Sequence, residues 1–194
     1  MYRDMILTMR ENGITPYITM FHWEFPQALQ DQGGWLNEAV VDWFGEYAKV
    51  VAENFSDLCE YFITINEPQC VVGLGHLSGV RAPGLKLSVP ETFQIAHNLL
   101  KAHGQAVINL RKYAKQKLRI GFAPTGGVAY PYTDSPEDIE AARKVYFGFY
   151  NPMSNWTLWD RTFIMAITCA REQTASRNLW TGNRDFQRPR AIGR

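Results

Sequence analysis

The stretch Glu60-Tyr61-Phe62-Ile63-Thr64-Ile65-Asn66-Glu67-Pro68 decides how this chain is read. The aromatic and β-branched residues from Tyr61 to Ile65 suit a pleated, packed backbone, which predicts a strand over residues 60–65. It stops at Asn66-Glu67-Pro68. Proline brings no ladder donor and disfavours the right-handed helical conformation in the residue before it. Glu67 is therefore expected in extended geometry, its carboxylate aimed beyond the C-terminal end of the strand.

Long amphipathic stretches flank this strand. Before it, Val40, Val41, Phe44, Tyr47, Ala48 and Val51 form one apolar stripe, which predicts a helix over about residues 37–54 with Asn37 as N-cap. After it, a glycine-rich loop is expected over residues 73–84. Pro90 then stands where a first-turn proline belongs, and Phe93, Ala96, Leu99, Leu100, Val107 and Leu110 carry a helix to about Tyr113. Further out, residues 14–21 and 118–122 predict two more strands, with Pro16 admissible only near the start of its strand. A helix over residues 2–11 stops at Asn12-Gly13. Another opens at Ser135-Pro136-Glu137-Asp138, with serine as cap, proline in first position and an acid three residues after the cap, and runs to about Phe147.

The order is therefore α-β-α-β-α-β-α, an α/β chain with parallel strands and right-handed crossovers. An open doubly wound sheet and a (β/α)8 barrel both satisfy that order. No glycine-rich dinucleotide turn follows a strand, and the long polar loops follow the strand ends, where a barrel builds its site.

Composition narrows the function classes. A formal net charge of +1 with mixed charges gives no nucleic-acid surface. The basic run from Arg111 to Lys117 reads as a solvated helix end. No run approaches the roughly 18–20 apolar residues of a membrane span, so no membrane partner is expected. Three cysteines, Cys59, Cys70 and Cys169, leave one unpaired in any disulfide scheme and have no metal-ligand spacing. That favours a reducing compartment, and with no leader pattern in residues 1–13 the expected location is cytoplasmic.

Two clusters could do chemistry. Glu67 ends one strand with the Asn66 amide beside it. Cleavage of a glycosidic bond needs a carboxyl that donates a proton to the leaving oxygen, and a partly desolvated glutamate suits that task. His22-Trp23-Glu24-Phe25-Pro26 ends the preceding strand, where an imidazole beside an indole face suits a sugar. The plain alternatives are a solvated acid at a strand-end turn and a rim aromatic with an incidental histidine. His76, in the glycine-rich loop, is a weaker candidate, and His97 and His103, six residues apart on a helix, read as structural or supporting groups. No metal-binding or phosphate-loop pattern is present.

At this point a resemblance becomes specific. Phe21-His22-Trp23-Glu24-Phe25-Pro26-Gln27-Ala28-Leu29 with Gly33-Gly34-Trp35-Leu36, then Tyr61 to Pro68, Gly79-Val80-Arg81-Ala82-Pro83-Gly84, and Ala96-His97-Asn98-Leu99-Leu100-Lys101-Ala102-His103 together resemble family 1 of the glycoside hydrolases. That family contains β-glucosidases and 6-phospho-β-glucosidases. The match continues through Gly121 and Ser135–Ala142 to about Trp159. The resemblance implies a partial (β/α)8 barrel covering approximately strands three to five. It makes Glu67 the general acid/base, Asn66 the partner of the sugar 2-hydroxyl, His22 that of the 3-hydroxyl, and Trp23 a wall of the same subsite. It implies no metal or organic cofactor. The substrate would be a small-molecule β-glucoside or phospho-β-glucoside. Glu24 stands where the family usually has aspartate, and Ile65 where it usually has phenylalanine.

The family's nucleophile, a glutamate in an Ile/Val-Thr-Glu-Asn-Gly motif, has no counterpart in these 194 residues. Retention needs two carboxyls about 5–5.5 Å apart, so the chain is expected to be an internal piece of the enzyme. Residues 1–159 are expected as partial barrel and 160–194 as an atypical tail, the product of a frameshift or a gene-model error, with a genuine lineage-specific tail as the alternative. A barrel piece with open edges should self-associate or bind a partner. The alternative function is a non-catalytic carbohydrate-binding or pseudoenzyme product.

Overall fold

The structure, a computed structural model, describes residues 1–125 and 129–147; the expected tail 160–194 lies outside them. The helices are α1 (Tyr2–Glu11), α2 (Gln27–Gln30), α3 (Val40–Phe55), α4 (Pro68–Cys70), α5 (Val89–Tyr113) and α6 (Pro136–Phe147), and the strands are β1 (Tyr17–Phe21), β2 (Tyr61–Asn66) and β3 (Arg119–Ala123). The strands form one parallel sheet in the order β1-β2-β3. Sequence neighbours are thus spatial neighbours, as in a wedge of a barrel, and among the described residues the sheet stays open, with β1 and β3 at its edges. Among the described residues, no helix is long and apolar enough to cross a membrane.

Strand pairing differs from strict alternation at one place. Tyr61, Phe62 and Ile63 face Arg119, Ile120 and Gly121, but Asn66 faces Ala123. Three steps along β2 therefore match two along β3. This extra residue is a bulge, which bends the strand immediately before Asn66-Glu67.

The sheet is covered by α3 and α5, which lie against each other. Ala48, Val51 and Ala52 of α3 and Ile95, Ala96, Leu99, Ala102, Ala106 and Leu110 of α5 are all nearly or fully buried, an apolar stripe at helical spacing on each helix. The close approach needs Gly45: a Cβ there would lie 2.7 Å from Gln105 Cγ, and the Gly45 carbonyl accepts from Asn109 Nδ2 at 2.8 Å. The start of α5 is held by the Ser88–Glu91 capping box, in which both Ser88 groups donate to the Glu91 carboxylate.

Several expectations need correction. The first strand begins at Tyr17 rather than Ile14. Gly13, at φ +71°, ends α1, and Ile14 N–H returns to the Met9 carbonyl at 2.8 Å, so residues 14–16 serve as connector. Helix α3 begins at Val40 because Asn37 caps a turn before it, accepting from Ala39 N–H at 3.0 Å. The first part of the expected glycine-rich loop is a wide helical turn over Val71–Leu77, where buried His76 donates from Nδ1 to the Val71 carbonyl at 2.8 Å. At α6 the serine cap holds, Asp138 N–H donating to Ser135 Oγ at 3.1 Å, but the Asp138 carboxylate reaches back to Thr133.

Asn98 ties the core to the rim. Fully buried on α5, it donates from Nδ2 to the carbonyls of Trp35 at 2.9 Å and Leu36 at 3.3 Å. Replacing it with Leu leaves the buried Trp35 carbonyl and the partly buried Leu36 carbonyl without that donor, at a cost of about 1–3 kcal/mol. Urea unfolding of Asn98→Leu should show that loss, with the midpoint lowered and the slope unchanged.

Candidate active site

The bulge delivers Glu67 to the rim in a left-handed conformation, φ 43° and ψ 61°, not the extended one expected. Pro68 accounts for only part of the geometry: it disfavours the right-handed region without choosing between the others. The choice comes from two attachments. Glu67 N–H donates to the Ala123 carbonyl at the end of β3 at 2.8 Å, and the Glu67 carbonyl accepts from Cys70 N–H at 2.9 Å as α4 begins. A non-glycine residue in this region carries strain of order 1–3 kcal/mol, which the surrounding bonds must hold. The carboxylate lies partly exposed.

The end of β1 meets it. His22 is exposed and Trp23 half-buried. Asn66 Nδ2 donates to His22 Nε2 at 3.2 Å, which leaves the imidazole proton on Nδ1. Trp23 Nε1 donates to the Asn66 carbonyl at 3.1 Å. Trp23 itself sits at φ +83°, a second strained residue at the same rim. Phe21, Phe25 and Trp35 brace its loop from below, with ring centroids 5.1 Å apart for Phe21–Trp35 and 5.5 Å for Phe25–Trp35. All four residues singled out in the sequence thus come together at the C-terminal ends of adjacent strands, with one acid, an amide, an imidazole and an indole face.

Three neighbours were not singled out. Cys70, one turn after Glu67, has its thiol pushed up in pKa by burial and by the nearby Glu67 carboxylate, with the Arg81 charge opposing. The Arg81 guanidinium lies over the Trp23 ring, 6.0 Å from its centroid. Gln69, fully buried, accepts from Thr125 N–H at 3.2 Å and so fastens the chain after β3 to the turn after β2. A cysteine, arginine or glutamine in a loop carries no spacing signal, so nothing in the sequence marked these contacts.

His103 is a supporting group, as expected. Its Nδ1 lies 2.7 Å from Thr64 Oγ1, and Thr64 Oγ1 donates to the Gly121 carbonyl at 3.3 Å. The pair joins α5, β2 and β3 at the bulge itself. His97 is exposed on the same helix.

The comparisons with known proteins bear on the family. The profile of glycosyl hydrolase family 1 matches residues 1–174. The chain belongs to glycosyl hydrolase family 1. β-Glucosidase A of Thermotoga maritima is 42% identical over 158 residues, covering 81% of this chain and 34% of that enzyme. A 1,4-β-D-glucan glucohydrolase of Thermotoga neapolitana is also 42% identical over 158 residues, covering 81% and 36%. The solved structure of a β-glucosidase from Thermotoga maritima in complex with deoxynojirimycin superposes with a TM-score of 0.70 at 42% identity, covering 77% of this chain and 33% of that one. The chain spans about a third of the length of the curated relatives it matches. The open three-stranded sheet accordingly fits part of a family 1 barrel.

Burial, with the Arg111 charge adding, holds the His103 imidazolium well below its usual 6.5, at about 4. The unfolded chain takes up this proton near pH 6.5 and the folded chain only near 4. The contribution to stability is complete above 6.5, is lost as pH falls through that window, and amounts to up to about 3 kcal/mol. Urea unfolding from pH 7 to 4 should therefore show a flatter pH dependence in His103→Gln than in the parent; equal slopes would contradict it.

Proposed function

We propose that these residues form the acid/base half of a retaining β-glycosidase, with Glu67 as general acid/base and β1, β2 and β3 as the third, fourth and fifth strands of its barrel. The observation that carries the reading is the joining of Glu67, Asn66, His22 and Trp23 at one rim. Protonated Glu67 donates to the glycosidic oxygen as the bond to the anomeric carbon breaks, and the sugar passes to a carboxylate nucleophile. That nucleophile lies outside these 194 residues in this reading. Glu67, now ionised, then takes a proton from water, which attacks the glycosyl-enzyme and releases the sugar with net retention.

Asn66 holds the sugar 2-hydroxyl, a contact that strengthens towards the transition state. His22 holds the 3-hydroxyl, and Trp23 supplies an apolar wall. The bond from Asn66 Nδ2 to His22 fixes both groups relative to each other before sugar arrives. The names of the relatives favour an unphosphorylated β-glucoside over a phospho-β-glucoside. The free thiols of Cys59 and Cys70 suit a cytoplasmic setting. The unpaired edges of β1 and β3 support self-association, or pairing with the rest of a barrel. Residues 1–159 are read as barrel and 160–194 as an atypical tail, although the family profile runs on to residue 174.

A chimera tests the reading, in which residues 1–147 replace the corresponding segment of the Thermotoga maritima β-glucosidase. Glu67→Gln in that chimera should lower kcat by about 10²–10⁴ for a glucoside with a poor leaving group. In kcat/KM the loss should be far smaller for a nitrophenyl glucoside, whose leaving group departs without a proton, while its kcat still falls because the second step has lost its base. An active chimera insensitive to Glu67→Gln on both substrates would overturn the assignment. The second reading, sugar binding without turnover, would leave the chimera inactive on both while it still binds glucose.

A further inference from the structure

The residues that close α1 carry a chemistry of their own. Asn12-Gly13 is the one place in the sequence where glycine follows asparagine. At such a pair the backbone nitrogen of the second residue can close on the side-chain carbonyl of the first, because glycine has no Cβ to obstruct it. Both residues are exposed, and a Cβ built on Gly13 would meet nothing within 4 Å, so water has access to the pair. The two nitrogens this chemistry uses are both held by the last turn of α1. Gly13 N–H donates to the Arg10 carbonyl at 3.0 Å, and Asn12 Nδ2 donates to the Thr8 carbonyl at 2.9 Å. The helix that holds them is lightly anchored, with Ile6 its only buried residue. Polar clamps do most of the rest. The Arg3 guanidinium grips the Asp57 carboxylate with two bonds of 2.9 and 2.8 Å and also donates to the Asn54 carbonyl, while Arg10 donates to the Leu58 carbonyl at 3.2 Å. A helix with so little buried apolar surface opens at lower cost than the core does.

We propose that Asn12 is a site of spontaneous deamidation, and that opening of the last turn of α1 sets its rate. Once the turn opens, the Gly13 nitrogen gives up its proton and bonds to Asn12 Cγ. The bond from Cγ to Nδ2 breaks, and Nδ2 leaves as ammonia with that proton. Water then opens the cyclic imide at either carbonyl, which yields aspartate or isoaspartate with no other reactant. Neither product restores the cap. The new carboxylate has lost the donor to the Thr8 carbonyl and lies at the negative end of the helix. Isoaspartate also adds a carbon to the backbone, which displaces Ile14 N–H from the Met9 carbonyl and shifts the connector leading into β1. The modification therefore loosens α1 from the sheet irreversibly. It is independent of the assignment of Glu67.

The test is peptide mapping by mass spectrometry of the full chain after incubation at neutral pH, in native buffer and in urea. Isoaspartate should accumulate at residue 12, and faster in urea than in native buffer. Arg3→Gln should raise the native rate about threefold to tenfold, because losing a charged two-pronged contact enlarges the open fraction. Arg3→Lys, which keeps the charge but not the paired bonds, should raise it less. Lys115→Gln is the matched control: it removes the other cation beside Asp57, 3.9 Å away, without touching α1, and should leave the rate unchanged. An Asn12 that stays intact in urea overturns the site. A native rate equal to that in urea, no acceleration in Arg3→Gln, or the same acceleration in Lys115→Gln overturns control by α1.

Discussion

The extra residue in β2, closed by the hydrogen bond from Glu67 N–H to the Ala123 carbonyl, is the constraint on which the rest of the site depends. An unbroken ladder would carry β2 straight past β3 and leave Glu67 pointing along the strand. The bulge instead bends the chain, and the bond to β3 then fixes it in a left-handed turn that a glutamate does not take for free. Thr64 and His103 lock the same point from behind the sheet. The geometry of this rim is thus a property of how two strands and a helix meet, and not of Glu67 alone.

The rim is assembled from the core outward. Asn98, buried on α5, holds the carbonyls of Trp35 and Leu36. Trp35 packs on Phe21 and Phe25, and these flank the strained Trp23. Trp23 then bonds to the Asn66 carbonyl, so the loop after β1 and the end of β2 are joined by a side chain that also presents its ring to the site. A polar residue in the middle of α5 is therefore linked through aromatic packing to the position of the amide beside the acid. Small shifts in such a packed chain are transmitted because its members have little room to relax.

Much of this was legible in the residues. Helical stripes, β-branched runs and the proline and serine signals gave the order of elements, because those patterns report burial and backbone sterics directly. The pairing of His22-Trp23 with Asn66-Glu67 followed from their place at the ends of consecutive parallel strands. What escaped was anything set by tertiary contact. The proline rule pointed Glu67 to an extended conformation, whereas a bond from another strand decided for the left-handed one. Glycine at Gly73 and Gly75 suggested a loop, yet both are buried within a wide helical turn, and at Gly75 a Cβ would meet the Ala82 carbonyl at 2.8 Å. The neighbours Cys70, Gln69 and Arg81 owe their places to that turn and the chain following it, which no local pattern foretold.

The central claim is that the bulged end of β2 and the loop after β1 form one sugar-binding rim. The most direct measurement is titration of the isotope-labelled chain with cellobiose, following the Trp23 indole N–H and the Asn66 side-chain amide by NMR. The account predicts that both signals move together along one saturable curve, and that Asn66→Ala weakens or removes the response at Trp23. Signals that remain still at high millimolar sugar in the folded chain would contradict it.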